Sequence, residues 1–71
     1  MQFDYSKLLG RIKECGYTQE RLAEEIGTTK ATMSLKLNNK AFFTQLEIEK
    51  IRKILRIANR KVGVYFFTLR V

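Results

Sequence analysis

A chain of 71 residues with a formal charge of +7, one cysteine and no histidine can build one small core and has no room for a second catalytic or effector domain. Cys15 alone cannot close an intramolecular disulfide, and without histidine it cannot anchor a Cys/His zinc site, so a reduced cytoplasmic setting with no metal, cofactor or small-molecule ligand is expected. The excess is seven basic against five acidic residues up to Lys40 and seven against two from Ala41 onward, a balance that favours a polyanionic partner over a merely soluble basic protein.

No apolar run approaches a membrane span, and Met1-Gln2-Phe3-Asp4 lacks the charged and apolar regions of a signal peptide. There is no proline and no repeat. The chain reads as short helices joined by brief turns. Asp4 is placed to cap a first helix running to about Glu14, with Leu8 and Ile12 on one face and Gly16 as its stop, although Gly10 weakens it. Thr18 can cap a second helix whose apolar stripe is Leu22, Ala23 and Ile26, with Glu20 near the positive end of the dipole and Gly27 at the close. A third helix, capped by Thr28 or Thr29, carries Met33 and Leu37 and stops at Asn38-Asn39, residues that tolerate left-handed backbone.

The fourth helix has the clearest start. Thr44 and Glu47 fit a capping box, and Phe43 and Ile48 a hydrophobic staple. Its apolar face is Ile48, Ile51, Ile54, Leu55 and Ala58, with Lys50, Arg52, Lys53 and Arg56 on the remaining surface. From Asn59, which can act as a cap, a short fifth helix to about Phe66 is expected. Phe67, Leu69 and Val71 alternate with Thr68 and Arg70 as a strand would, and a helical continuation competes with that reading.

Thr18 to Leu37, "TQERLAEEIGTTKATMSLKL", has the spacing of a helix-turn-helix. Ala23 gives the small contact a steep crossing needs, Gly27 accepts positive φ in the turn, and Ile26 and Met33 can share one core. With "NNK" added, the stretch resembles the small helical DNA-binding domains of phage repressors and Cro proteins, within the xenobiotic-response-element class. The resemblance covers about residues 5 to 67, and "FDYSKLLGRI", "SLKLNNK" and "YFFT" look like small phage Cro-like proteins. It implies an all-α, four- to five-helix, lambda-repressor-like domain over residues 1–71.

Two positions depart from the family. Ile12 and Leu37 stand where many relatives bury a salt bridge, a swap that is often neutral or stabilising. Lys36 stands where relatives place an apolar residue; its stem would cover the core while its ammonium reaches water or phosphate.

With Met33 and Leu37 inward, helical geometry turns Thr28, Ala31, Thr32 and Leu35 outward, flanked by Thr29, Lys30 and Ser34. Leu35 fits either extra core packing or a thymine methyl. The resemblance favours base contact, with Thr29, Lys30, Ala31, Thr32, Ser34 and Leu35 as the expected set. Phosphate contacts are expected from Gln19, Thr28, Asn38, Asn39 and Lys40.

Such domains pair on half-sites about one helical turn apart, roughly 34 Å. The tail, residues 67–71, is the expected dimerisation element through Phe67, Leu69 and Val71, its edge pairing with the symmetry mate. The function implied is a Cro-like repressor acting as a homodimer by occupying a double-stranded operator. The alternative is an antirepressor that engages another regulator through the face around Leu35 and the tail. A basic excess beside that face favours DNA; an acidic one would favour a protein. Membrane-surface or RNA binding finds little support, because the fourth helix lacks a segregated aromatic face and no stacking platform stands out. No nucleophile, base and acid assemble, so no enzyme is expected.

Overall fold

Three threonines begin three helices of the computed structural model, which describes residues 2–70. The elements are α1 (Ser6–Glu14), α2 (Gln19–Ile26), α3 (Lys30–Leu37), α4 (Gln45–Ile54), a 3₁₀ turn (Asn59–Lys61) and α5 (Val62–Phe66). Thr18 Oγ1 accepts the Arg21 N–H at 3.0 Å and Thr29 Oγ1 the Thr32 N–H at 3.2 Å. Thr29, and not Thr28, is therefore the α3 cap. At α4 the capping box is complete: Thr44 Oγ1 accepts the Glu47 N–H at 3.1 Å and Glu47 Oε1 accepts the Thr44 N–H at 2.9 Å. Each cap contributes about 1 kcal/mol.

At α1 the cap position belongs to Tyr5, whose side chain makes no capping bond. Asp4 acts one residue earlier, accepting the Ser6 N–H at 2.9 Å. Hydrogen bonds from Ser6 hold its carboxyl below the usual carboxylate range.

Gly27 closes α2 at φ 83°, a left-handed conformation that costs glycine little. α2 packs against both α3 and α4, and α1 against α5. The buried core takes Leu8 and Ile12 from α1, Leu22, Ala23 and Ile26 from α2, Met33 and Leu37 from α3, Ile51 from α4, and Phe66 from α5. Ala23 has no exposed surface; it lets the helices meet closely. Edge-to-face rings close one side, Tyr5 on Phe43 at 5.6 Å and Phe43 on Phe66 at 5.5 Å, a geometry that aromatic quadrupoles favour.

The second half departs from expectation at its joints. α4 ends at Ile54 and the chain turns through Arg56 at φ 56°. Ala58 therefore leaves the helix face and is exposed, while Ile57 enters the core beside Leu55. Asn59 caps nothing, because Ala58 precedes the 3₁₀ turn in extended backbone.

The tail forms one antiparallel bridge and no strand among the described residues. Phe3 pairs with Leu69, the Asp4 N–H donates to Thr68 O at 2.7 Å and the Arg70 N–H to Gln2 O at 2.9 Å. One edge of the tail is thus paired with the chain's own N-terminal segment. Phe67 stacks edge-on against Phe3 at 5.7 Å; Val71, the third residue assigned to dimerisation, lies outside the described residues. Among the described residues no helix is long and apolar enough to cross a membrane.

Candidate recognition surface

The turn at Gly27 and the cap at Thr29 set α3 across α2 with Met33 and Leu37 buried, so Lys30, Ala31 and Leu35 face outward. Leu35 is 47% exposed, which removes the core-packing reading for it. Thr28, Thr32 and Ser34 are half-buried at the margins. The Thr29 hydroxyl donates to Thr32 Oγ1 at 3.1 Å while accepting the Thr32 N–H, so its expected base contact would need those bonds to open. Gln19 and Lys30 line a shallow hollow between the starts of α2 and α3.

Two residues expected to serve phosphate are otherwise engaged. Asn39, at φ 63°, accepts the Phe3 N–H at 2.7 Å and donates to Phe3 O at 2.9 Å. Both ends of its amide are used in holding the N-terminal segment. Lys36 is buried, and its ammonium donates to both Glu47 oxygens at 2.5 and 2.6 Å, so a carboxylate holds it where water or phosphate was expected. Burial alone would push the Glu47 carboxyl up, but Lys36 and Thr44 outweigh it and hold it below the usual range. An α3–α4 ion pair exists here while Ile12 and Leu37 are both in the core. Asn38 donates back to Ser34 O at 2.8 Å and Ser34 Oγ at 3.2 Å, remaining exposed. Lys40 is exposed.

The basic excess expected beside this face lies elsewhere. From Thr18 to Lys40 the charges are Arg21, Lys30, Lys36 and Lys40 against Glu20, Glu24 and Glu25. Lys36 is neutralised by Glu47 and Arg21 faces Glu25 at 3.6 Å. Glu20, Glu24 and Glu25 are all exposed on α2. A separate cleft between α1 and the turn into α5 gathers Lys7, Arg11, Arg56 and Lys61, and none of its lining residues comes from α2 or α3.

A second apolar area escaped the sequence reading. Phe42 is 77% and Leu46 65% exposed; Phe42 borders a groove of about 190 Å³ with Phe3, Phe43 and Phe67. Leu46 sits at the second position of α4, off the helix's inward stripe, which is the signal that could have found it.

These features define a small all-helical protein with a helix-turn-helix whose outer face sets Ala31 and Leu35 among threonines, a serine and few charges. A family model matches residues 1–69, and the chain belongs to that family, described as "Protein of unknown function (DUF739)". Among solved structures it is similar to the solution structure of the modulator of repression (MOR) of the temperate bacteriophage TP901-1 from Lactococcus lactis. Identity is 39%, the TM-score is 0.80, and the match covers 100% of this chain and 96% of that one. No curated protein matches the chain.

Proposed function

We propose that this protein is a phage modulator of repression that acts by docking the outer face of α3 onto another regulatory protein. The observation that carries this reading is the half-exposed Leu35 beside Ala31, on a helix-turn-helix whose charges nearly cancel. The buried centres of protein interfaces are depleted of charged residues, and covering the exposed Leu35 side chain there removes apolar surface from water. Duplex DNA makes the opposite demand. A protein neutralising six to ten phosphates relies on that many cations, and this face offers Lys30 and Lys40 with three glutamates on the helix that would cross the backbone. Similarity to a modulator of repression along the whole chain supports a regulatory role of the same kind.

A second reading, a Cro-like repressor, is favoured by the outward placement of Lys30, Ala31 and Leu35. It would use Gln19, Asn38 and Lys40 on the backbone and require a dimer, for which Phe67 and Leu69, each about half exposed, are the available contacts. Selection of bound duplexes from a random pool separates the two. Enrichment of a two-fold symmetric motif, lost in Ala31→Glu, would establish the repressor. No enrichment, with a sedimenting complex between this protein and the repressor of the same genome that Leu35→Glu abolishes, is the result expected for the modulator.

A further inference from the structure

From the cleft between α1 and the turn joining α4 to α5, we infer a second binding site, one that holds the phosphate backbone of duplex DNA. Lys7 and Arg11 lie one helical turn apart on α1, Arg56 and Lys61 face them, and Tyr65 forms part of the wall of a hollow of about 440 Å³. Lys7, Arg56 and Lys61 are exposed, and no ion pair among the described residues engages them. Asp4 is near enough to Lys7 to feel its charge but does not line the cleft. Arg11 is a positioning residue. Its Nε donates to Leu55 O at 2.8 Å and its Nη2 to Arg56 O at 3.4 Å, while Nη1 binds Glu14, so it fixes the turn that carries Arg56.

Arg56 supplies an independent observation. After α4 the Ile57 N–H closes on Arg52 O at 2.8 Å and the Arg56 N–H on Lys53 O at 3.3 Å, the helix-ending pattern whose left-handed residue is usually glycine. Glycine takes that role after α1 and α2, at Gly16 and Gly27, and after α3 it falls to Asn39, a residue that tolerates it. After α4 an arginine takes it at φ 56°, accepting backbone strain and placing a cation at the rim of the cleft.

The remaining chemistry selects duplex DNA. The large apolar side chains that a membrane surface would take up, Leu9, Leu35, Phe42, Leu46, Phe67 and Leu69, are exposed but line none of this cleft, unlike an interfacial site. Tyr65 is its one aromatic and is half-buried, so there is no platform for unpaired bases. Cations gathered in a hollow, with no protruding helix or strand to carry them into a groove, suit backbone phosphates and not base edges. The site is independent of the α3 docking surface, and both could be filled at once.

The test is fluorescence anisotropy with a labelled duplex of mixed sequence across a salt series. Three cations predict a log–log slope of about −3. Arg56→Gly should reduce its magnitude by about 1 while the melting temperature holds or rises, since the strain is relieved. Lys7→Gln with Arg56→Gly and Lys61→Gln should abolish binding, whereas Lys30→Gln with Lys40→Gln should leave the slope unchanged. Loss of binding in the Lys30/Lys40 variant, an unaltered slope in the triple variant, absent binding at low salt, or equal affinity for anionic phosphatidylserine vesicles would each overturn the site. Leu35→Glu reads the α3 surface separately, so failure of one assignment does not carry the other with it.

Discussion

Glu47→Ala is expected to destabilise the protein by about 3 kcal/mol, a large effect for one carboxylate on a helix surface. Glu47 joins two arrangements, accepting the Lys36 ammonium on both oxygens at 2.5 and 2.6 Å and the Thr44 N–H at 2.9 Å. The side chains of Lys36 and Glu47 are only 11% and 17% exposed. Breaking a fully buried pair costs roughly 3–5 kcal/mol because a charge is stranded; the residual exposure lets Lys36 reach partly toward water, which lowers that to about 2. Loss of the capping box adds about 1 kcal/mol. A chain of this length has roughly 4–10 kcal/mol in total, and each kcal/mol moves the midpoint by about 4–8 °C. Thermal melts followed by circular dichroism should therefore fall by roughly 10–25 °C. Adding Lys36→Met removes the stranded charge and fills the stem's volume, so the double variant should cost only about 1 kcal/mol, the lost cap. A double variant as unstable as Glu47→Ala would refute the reasoning, because the loss would not then come from a stranded Lys36 charge.

Three further outcomes follow from the same geometry. Ala23→Leu forces a larger side chain into a fully buried helix crossing and should cost about 2 kcal/mol or more in urea unfolding; a change below about 0.5 would mean the crossing is loose. Asn39→Ala removes both bonds to the Phe3 backbone and should cost about 2 kcal/mol, speeding hydrogen exchange at the Asp4 and Arg70 amides while leaving the salt dependence of DNA binding untouched. The Glu47 carboxyl is held below its unfolded value of 4.5, so its contribution is complete above about pH 4.5 and is lost as pH falls through the lower folded value. Melts between pH 7 and 3 should decline from about pH 4.5 downward, and Glu47→Gln should lose less on acidification than the parent chain.

The helices were legible because their start signals are local. Thr18, Thr44 and Glu47 act within four residues of their partners, and Leu22, Ile26, Met33 and Leu37 repeat at helical intervals. What escaped the reading depends on residues far apart in sequence. The Asn39 amide reaches Phe3 across 36 positions, and nothing in "LNNK" says that a strand-like N-terminus will lie beside it. Lys36 carried an anomaly the sequence did expose, a cation at an apolar position, but its partner sits on the next helix. The tail's alternation points to an extended segment, and among the described residues that segment bridges the chain's own N-terminal stretch, Leu69 to Phe3, a pairing no local sequence signal announces. Periodicity alone places Ala31 and Leu35 outward, while Thr28 and Thr32, expected beside them, are half-buried. The electrostatic setting of α3 required knowing that Lys36 is neutralised and that much of the basic excess gathers around Arg56.

What α3 touches separates a modulator from a repressor. Nitrogen–proton correlation spectra of the labelled protein, titrated in turn with the repressor of the same genome and with duplex DNA, read that surface directly. The amides of Lys30, Ala31 and Leu35 should shift with the repressor, Leu35→Glu should abolish those shifts, and DNA should move amides around Lys7, Arg56 and Lys61 instead. Shifts at Lys30, Ala31 and Leu35 with a two-fold symmetric duplex, and none with the repressor, would contradict this and assign α3 to reading DNA.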